Sequence, residues 1–308
     1  MRDLGEFGLI ERIERLAGRA RSAGVVLGIG DDAAILRLAA GEDLVVTTDA
    51  AVAGVHFRLD QEPPRLAGRR AAVGCLSDLA AMGARPLAML LAFALPATTA
   101  AATALGLVRG VVHEARRAGA ALVGGNVTRA REISLTLTAL GAVRHGRALR
   151  RDRGRAGDRL FVTGTLGRSA LERARGRVRA AGAARITAGR RLAGVRGVGA
   201  CIDLSDGLAA DLWQLARASG VAARLDPARL PLPAGFAAAC RRAGHDPLRL
   251  ALAGGEDYEL LFSVRPSGPG AGELGRRLGV RVTEIGRLER GRPALRGIPA
   301  GPRGWRHF

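Results

Sequence analysis

The sequence contains no lysine, because all 48 basic residues among its 308 positions are arginine. A P-loop needs a lysine that reaches the phosphates of a bound nucleotide. The absence of lysine therefore excludes a P-loop, and any use of ATP requires a different architecture.

Cysteine is also scarce, with only Cys75, Cys201 and Cys240 in the chain. The number is odd and no pair has CxxC spacing, so neither a disulfide framework nor a cysteine zinc site is expected. No two of the five histidines have the spacing of a metal-binding pair. The sequence therefore predicts reduced cysteines and a cytoplasmic protein.

Long hydrophobic runs are missing as well. The longest strongly apolar stretch, residues 86–96, is too short to cross a bilayer, which needs about 20 residues. The N-terminus carries acidic residues where a signal peptide has an apolar segment, so we expect neither export nor a membrane partner.

Acidic residues number only 28, which leaves a formal net charge of +20. Such a charge by itself suggests a nucleic acid or an anionic membrane. A nucleic-acid interface, however, combines a basic patch with stacking aromatic residues, and this chain has 3% aromatics and scattered arginines. We interpret the charge as compositional bias, predict no nucleic-acid partner, and expect a salt titration with DNA or RNA to test this.

The length and the 48% apolar content predict two domains with ordinary cores. In both halves, apolar and β-branched runs alternate with segments of helical spacing, which predicts a mixed α/β (α+β) architecture. An arginine-rich connection over 144–157 separates the halves. We predict an N-terminal domain over 1–145 and a C-terminal domain over 146–308.

Periodicity and turn residues predict the individual elements. The N-terminal half contains a strand at 44–48, a helix at 66–82, a strand at 87–95, a helix at 100–117, a strand at 121–123 and a strand at 133–143. The C-terminal half contains a strand at 159–163, a helical stretch at 169–194, a strand at 200–203, a helix at 208–218, and strands near 222–225, 259–264 and 281–285.

Acidic clusters form the most informative pattern, each placed where we expect a strand end or a glycine turn. They are GIGDD (28–32), TTD (47–49), SD (77–78), DLSDG (203–207) and GGEDY (254–258). Converging carboxylates repel one another unless they share cations, and Mg²⁺ usually binds one or two carboxylates together with substrate phosphates. The clusters therefore predict a divalent metal site, although each alone also fits a turn or a helix cap. One carboxylate of Asp203 and Asp206 could cap a helix while the other faces the site.

Other features fit the binding of a phosphorylated substrate. The glycine pairs 124–125 and 254–255 and the turn 164–167 allow backbone N–H groups to approach a phosphate. His56 follows the second acidic cluster by a short loop and is a candidate substrate contact, although a lone histidine is more often a packing or surface residue. Cys75 lies in a helical pattern and is interpreted as a buried helix residue rather than a nucleophile.

Ten motifs in order along the chain resemble the thiamine-monophosphate kinase family. They are GEFGLI (5–10), GIGDDAAIL (28–36), TTDAAVAGVHF (47–57), LSDLAAMGARP (76–86), VGGNVTR (123–129), GDRLFVTGTLG (157–167), IDLSDGLAADL (202–212), GGEDYELLF (254–262), IGRL (285–288) and GWRHF (304–308). This family is similar to aminoimidazole ribonucleotide synthase and selenophosphate synthetase, which bind ATP without a P-loop. The resemblance implies an aminoimidazole ribonucleotide synthase-like fold: the N-terminal mixed sheet forms a barrel in a homodimer, and the C-terminal α/β domain closes the active site.

The resemblance also implies an activity, the ATP- and Mg²⁺-dependent phosphorylation of thiamine phosphate to thiamine diphosphate. The implied metal ligands are Asp32, Thr47, Thr48, Asp49, Asp78, Asp203 and Asp206, with Asp31 as a nearby support. Of these, Asp49, Asp78 and Asp206 are the implied catalytic carboxylates. The implied nucleotide contacts are Gly125, Asn126, Arg151 and Ser205, and the implied thiamine phosphate contacts are His56, Glu256 and Trp305.

The chain also departs from the family's pattern. Cys75 replaces a usual asparagine, Asn126 replaces a common aspartate, Arg168 interrupts a Gly-Asp-Ser motif, and residues 181–185 replace an Arg-Pro stretch. Two alternatives follow. One is a superfamily member with another acceptor, which a substrate panel would identify. The other is a weak or inactive paralogue that binds nucleotide or thiamine phosphate without turnover.

Overall fold

The computed structural model describes residues 5–18, 24–27, 35–176 and 182–299. The chain forms two compact units, residues 1–79 with 84–146, and residues 147–308 with the short segment 80–83. Three residues implied in the site, Asp31, Asp32 and Trp305, lie outside the described residues.

The first unit is built on a four-stranded mixed sheet in the order β3-β6-β4-β5. Its elements are α1 (Gly5–Ala17), β1 (Val25–Leu27), β2 (Ile35–Leu36), β3 (Glu42–Val52), α2 (Pro64–Ala81), β4 (Arg85–Leu95), α3 (Ala101–Ala118), β5 (Ala121–Arg129) and β6 (Ser134–Arg144). Strand β6 pairs antiparallel with β3 and β4, while β4 and β5 are parallel. The strands β1 and β2 form a separate two-stranded ribbon.

One face of this sheet carries the core of the first unit. Along β6, the buried residues Leu135, Leu137 and Ala139 alternate with half-buried threonines, as expected for a strand covered on one side. Helix α2 lies against the buried face, since the Cys75 thiol is 3.4 Å from the Leu137 carbonyl oxygen. Packing against this face therefore fixes the orientation of α2 relative to β3 and β6.

Helices α2 and α3 approach each other at glycines. A Cβ atom on Gly68 would lie 1.9 Å from the Leu107 carbonyl oxygen, which is closer than any side chain allows. Beside this crossing, Arg69 pairs with the buried Glu114 at 2.7 Å. The close approach fixes the position of α2, and with it the residues that α2 carries towards the sheet.

The second unit contains a six-stranded sheet in the order β12-β9-β11-β7-β10-β8, antiparallel except for the β12–β9 pair. Its elements are β7 (Arg159–Thr163), α4 (Arg168–Ala174), α5 (Ile186–Leu192), β8 (Val198–Asp203), α6 (Leu208–Ser219), β9 (Ala222–Leu225), α7 (Phe236–Arg242), α8 (Pro247–Ala253), β10 (Leu260–Val264), α9 (Ala271–Leu278), β11 (Val282–Glu289) and β12 (Ala294–Arg296). Phe161 and Phe262 stack at 5.7 Å on neighbouring strands of this sheet.

Most of the predicted strands and helices are confirmed, and the strands at 159–163 and 222–225 match β7 and β9 to the residue. The continuous helical stretch predicted at 169–194 is wrong, because α4 ends at Ala174 and α5 begins at Ile186. Gly176 follows α4 with a φ of 67°, a conformation that ends a helix. Within the described ranges, every helix is too short or too polar to cross a lipid bilayer.

Candidate active site

Three of the predicted metal-site residues lie together where β3 passes α2. Thr47 Oγ1 donates a hydrogen bond to Asp78 Oδ2 at 2.6 Å. Side chains alternate along a strand, so Asp49 projects from the same face of β3 as Thr47. The charges of Asp49 and Asp78 both act on the thiol of Cys75, so both carboxylates lie close to it.

Cys75 lies beneath these carboxylates as a buried thiol. Burial, followed by the charges of Asp49 and Asp78, raises the pKa of Cys75 to about 12. The thiol therefore stays protonated, and its S–H group donates to the Leu137 carbonyl oxygen instead of acting as a nucleophile. The interpretation of Cys75 as a buried helix residue is confirmed.

The expectation that these acidic clusters lie at strand ends or in turns is wrong for Asp49, whereas Asp78 lies in the helix predicted at 66–82. Asp49 lies inside β3 opposite Leu137 of β6, and Asp78 lies inside α2. Pairing of residues 49–52 with 134–137 of β6 extends the strand beyond its predicted end. Both carboxylates are consequently held by regular backbone, which positions a site better than a loop does.

Thr48 lies on the opposite face of β3 from Thr47 and Asp49. Its Oγ1 donates to the Leu137 carbonyl oxygen at 3.1 Å and accepts from Thr138 Oγ1 at 3.3 Å. Within the first unit, the structure therefore does not bring the Thr48 side chain into the cluster of Thr47, Asp49 and Asp78.

His56 lies in the turn that follows β3, and its side chain is half-buried. Its Nδ1 accepts a hydrogen bond from the Val52 N–H at 3.1 Å. A ring nitrogen that accepts carries no proton, so the neutral imidazole has its proton on Nε2. His56 therefore presents an N–H donor, which suits an anionic oxygen such as that of a phosphate.

The two predicted nucleotide residues of the first unit lie at the other edge of the sheet. Gly125 and Asn126 belong to β5, which continues through the glycine pair where we predicted its end. Strand β5 pairs with β4, β4 with β6, and β6 with β3, and this register places Gly125 and Asp49 in the same row across the sheet. Since neighbouring strands are about 4.8 Å apart, this row spans about 14 Å. Within one unit, Gly125 and Asn126 therefore do not meet the Asp49 cluster.

The second unit has its own group of carboxylates at the end of β8. Asp203 is the buried last residue of β8, Asp206 is exposed in the following turn, and Asp211 is buried in the first turn of α6. Asp211 Oδ2 accepts the N–H groups of Asp206 and Gly207, both at 3.1 Å. The N-cap of α6 is Gly207, so neither Asp203 nor Asp206 occupies the cap position that we predicted for one of them.

The Asp211 carboxyl is buried beside two other carboxylates. Burial, followed by the charges of Asp203 and Asp206, raises the pKa of Asp211 to about 8. The Asp211 carboxyl is therefore mostly protonated at neutral pH.

Arg151 and Ser205 lie near this group. Arg151 begins a short 3₁₀ helix, Arg151–Arg153, whose preceding residue pairs with Ala200 of β8. Burial raises the pKa of the Cys201 thiol, and the charges of Asp203 and Arg151 act on that thiol in opposite directions. Ser205 lies in the turn between β8 and α6. Asp203, Ser205 and Asp206 thus lie at one end of β8, and Arg151 lies beside the strand near Cys201.

Glu256 lies in a strained segment that runs beside this turn. Glu256 and Tyr258 have φ angles of 66° and 51°, a conformation that costs a non-glycine residue about 1–3 kcal/mol. The Glu256 N–H donates to the Ser205 carbonyl oxygen at 2.8 Å, and the Tyr258 N–H donates to the Leu204 carbonyl oxygen at 2.9 Å. These bonds hold the segment against the β8 turn and place Glu256 near Ser205.

Helix α4 holds the same segment from the other side. Ser169 Oγ donates to the Glu256 carbonyl oxygen at 2.8 Å, and Arg173 pairs with the Glu256 carboxylate. Asp257 accepts the Gly167 N–H at 2.7 Å, and burial raises the pKa of Asp257 to about 7. The region in which the sequence departs from the family therefore positions Glu256 directly.

Sequence reasoning missed Asp211 and Arg173, and it included Asp257 in the acidic cluster at 254–258 without giving it a role. Asp211 lies inside the quoted motif at 202–212 and could have been found there, because it adds a carboxylate to the acidic cluster at 203–207. Arg173 could not have been found, since nothing in the sequence distinguishes it from the other arginines among the 48.

The altered stretch 181–185 also has an anchor that the sequence did not reveal. The carboxylate of the buried Glu259 accepts hydrogen bonds at 2.6 Å from both Thr163 Oγ1 and Arg185 Nε. Arg185 therefore ties the end of this stretch to the sheet of the second unit.

The donor chemistry of both groups suits Mg²⁺. In the part of the chain that the structure describes, no three His, Cys, Asp or Glu side chains are grouped so as to hold a metal ion. The first unit instead offers two carboxylates and a hydroxyl, and the second offers the pair Asp203 and Asp206. Mg²⁺ prefers such oxygen ligands and completes its shell with water and substrate phosphates. Zinc fits less well, because the nearby sulfur of Cys75 is a protonated thiol.

Comparison with known proteins decides the family. Residues 30–143 match the model of the AIR synthase related protein, N-terminal domain. A thiamine-monophosphate kinase of Mycobacterium tuberculosis is 39% identical over 293 residues, which cover 90% of this chain and 86% of that protein. This chain belongs to the thiamine-monophosphate kinase family. The resemblance that the motifs indicated is therefore confirmed.

Solved structures of the thiamine-monophosphate kinase family have the same fold. The crystal structure of the kinase from Stenotrophomonas maltophilia K279a has a TM-score of 0.82 and 36% identity, and the match covers 97% of this chain and 98% of that one. A structure described as AaThiL complexed with AMPPCP and TMP has a TM-score of 0.75 and 31% identity, covering 100% of this chain and 98% of that one. The predicted mixed α/β fold of the aminoimidazole ribonucleotide synthase type is confirmed.

Proposed function

We propose that this protein transfers a phosphoryl group from ATP to thiamine phosphate and forms thiamine diphosphate and ADP, with Mg²⁺ as its metal. The observation that carries the proposal is the match, over the full length of this chain, to a structure complexed with AMPPCP and TMP. The cluster of Thr47, Asp49 and Asp78 and the N–H donor of His56 support it with suitable chemistry. No observation favours the alternative of an inactive binding protein.

The reaction needs no general base. The attacking group is a phosphate oxygen of thiamine phosphate, which is already anionic near neutral pH, so the main difficulty is to bring two polyanions into line. Mg²⁺, when bound, neutralises the charge that spreads over the transferred group. In the first unit, Asp49, Asp78 and the Thr47 hydroxyl would hold Mg²⁺, and in the second unit Asp203 and Asp206 would offer it a pair of carboxylates. Asp32 completes the proposed metal set, whereas the Thr48 side chain lies on the opposite face of β3 and is left out of it.

The remaining residues bind and orient the two substrates. His56 donates its Nε2–H to a phosphate oxygen of thiamine phosphate, and Glu256 and Trp305 are the other proposed contacts of that substrate. For the nucleotide, the proposed contacts are Gly125, Asn126, Arg151 and Ser205. Asp211 retains a proton at neutral pH, which reduces repulsion between the carboxylates at the end of β8 and the phosphates.

An assay with purified protein, ATP, Mg²⁺ and thiamine phosphate tests the proposal. We expect thiamine diphosphate and ADP in equal amounts, no product without Mg²⁺, and none when free thiamine replaces thiamine phosphate. Binding of both substrates without any product would refute the kinase and support the inactive paralogue.

A homodimer through the open face of the first sheet is part of the proposal. Leu44, Val46, Thr48 and Ala50 of β3 are exposed and project from the face opposite the helices, and none of them is charged. In a chain with 25% charged residues, an exposed uncharged sheet face is typical of a surface that a partner covers. A second copy of this chain presents a matching face, as a two-fold dimer requires.

Light scattering with size-exclusion chromatography measures the dimer directly. We expect a mass of twice 32.0 kDa for the wild type. The substitution Val46→Arg is expected to give a monomer, because it places a charge in the apolar face. A wild-type mass of one chain, or a dimeric Val46→Arg variant, would contradict the proposal.

We also propose that the protein is cytoplasmic. Its three cysteines are free and buried, as expected where thiols remain reduced. A fractionation of the host cell that recovers the protein outside the cytoplasm would contradict this location.

A further inference from the structure

Arg70 of α2 reaches two groups in the first unit. Its Nη1 donates to Glu62 Oε1 at 2.7 Å, and its Nη2 donates to the backbone carbonyl oxygen of His56 at 3.1 Å. The Arg70 side chain is 13% exposed and that of Glu62 is 1% exposed. The guanidinium therefore joins a buried carboxylate to the turn that carries His56.

Stability alone does not explain why the Arg70–Glu62 ion pair is buried. Taking two charges out of water costs more than their attraction returns unless every polar atom is satisfied. Glu62 Oε2 is buried and has no hydrogen-bond partner among the described residues. Apolar side chains of similar volume would fill the same space at lower cost.

The Arg70–Glu62 pair is better explained by the need to hold His56 in position. The His56 N–H donates to the Val52 carbonyl oxygen at 2.9 Å, and the ring Nδ1 accepts from the Val52 N–H. Both bonds tie His56 to the end of β3, and Arg70 adds a bond from α2, the helix that carries Asp78. The Arg70 bond therefore fixes His56 relative to the candidate metal cluster.

We propose that Arg70 is a positioning residue that aligns His56 Nε2–H with the phosphate of thiamine phosphate, and that Glu62 holds Arg70 in place. The inference rests on the proposed function for the identity of the substrate. Arg70 itself touches no reacting atom. Its loss misplaces a hydrogen-bond donor, so the effect falls on the binding of thiamine phosphate and not on that of ATP.

A double variant separates positioning from stability. Arg70→Met combined with Glu62→Leu removes both charges together, so no unpaired charge is left buried. We expect the KM for thiamine phosphate to rise about tenfold, as for the loss of one aligned hydrogen bond to a charged group. The KM for ATP and the melting temperature are expected to stay close to the wild-type values.

The neighbouring ion pair supplies a matched control. Arg69 lies next to Arg70 on α2, but its guanidinium pairs with the buried Glu114 of α3 at 2.7 Å. Arg69→Met combined with Glu114→Leu is expected to leave both KM values unchanged. An equal rise of the KM for thiamine phosphate in this control would overturn the inference, as would a wild-type KM in the Arg70 variant.

Coupling to His56 tests the route of the effect. In a His56→Ala background, the Arg70 and Glu62 changes are expected to have no further effect on the KM for thiamine phosphate. With His56 present, Arg70→Lys alone is expected to keep part of the affinity that the double variant loses. A full tenfold effect without His56 would refute positioning through this residue.

Two readouts separate this inference from the proposed function. If the wild type binds thiamine phosphate without turnover, the kinase is refuted, and affinity from calorimetry replaces KM in the same comparison. The tautomer of His56, read from the ¹⁵N shifts of its ring, needs no substrate. We expect a proton on Nε2 in the wild type and a mixture in the Arg70 variant, and identical ring shifts in both proteins would overturn the inference.

Discussion

Formation of thiamine diphosphate is expected to fall about a thousandfold or more when Asp49 or Asp78 is replaced by asparagine. Each substitution keeps the shape of the side chain but removes the negative charge that holds Mg²⁺. The loss should appear in kcat, because the metal stabilises charge that develops as the phosphoryl group is transferred. Steady-state kinetics at saturating ATP and thiamine phosphate measure it.

The fold is expected to survive both changes. In the Asp78→Asn variant the Thr47 hydroxyl can donate to the amide oxygen of the new side chain as it does to the Asp78 carboxylate, and removing one of two neighbouring like charges relieves repulsion. A control on the same strand is Asp43→Asn, which removes a carboxylate that is paired with His145 six residues before Asp49. We expect this control to retain its kcat. Near-normal turnover of both active-site variants at saturating Mg²⁺ would refute the metal role of the cluster.

The sequence predicted the chemistry of the site better than its geometry. The clustering of carboxylates in an arginine-rich chain indicated a metal site, because composition alone would not group them. The helix predicted at 66–82 places Asp78 correctly, but placing Asp49 at a strand end was wrong, since pairing with β6 carries β3 through Asp49 despite the low strand propensity of aspartate. Local propensity describes a residue's neighbours in sequence, whereas a sheet register depends on strands far along the chain.

The positioning residues lay beyond the reach of sequence reasoning for the same reason. Arg70 acts on His56 from another element, and Arg173 acts on Glu256 across 83 positions. In a chain with 48 arginines, no composition or spacing distinguishes these two from the exposed ones. Motifs reveal the residues that meet a ligand, while the groups that hold them in place become visible only through tertiary contacts.

Loss of the native first unit is the expected result of Gly125→Ala. Gly125 has a φ of 145°, and a Cβ atom there would lie 1.9 Å from the Leu91 carbonyl oxygen of the paired strand β4. The obstacle is backbone inside a sheet, so it cannot turn aside as a flexible side chain does. Strain and displacement of β5 together are expected to cost about 4 kcal/mol or more of the free energy of unfolding.

Gly41→Ala is the matched control for this prediction. Gly41 also has a positive φ, 77°, but a Cβ atom there would meet nothing within 4 Å. Its substitution should cost about 1–2 kcal/mol from backbone strain alone. Urea denaturation of both variants measures the difference, and equal losses would show that the approach of β5 to Leu91 is not what requires glycine. A clear difference between the two variants would also explain why glycine stands at 125, immediately before Asn126. Strand β5, which carries both of these proposed nucleotide contacts, reaches its position beside β4 only when residue 125 has no side chain.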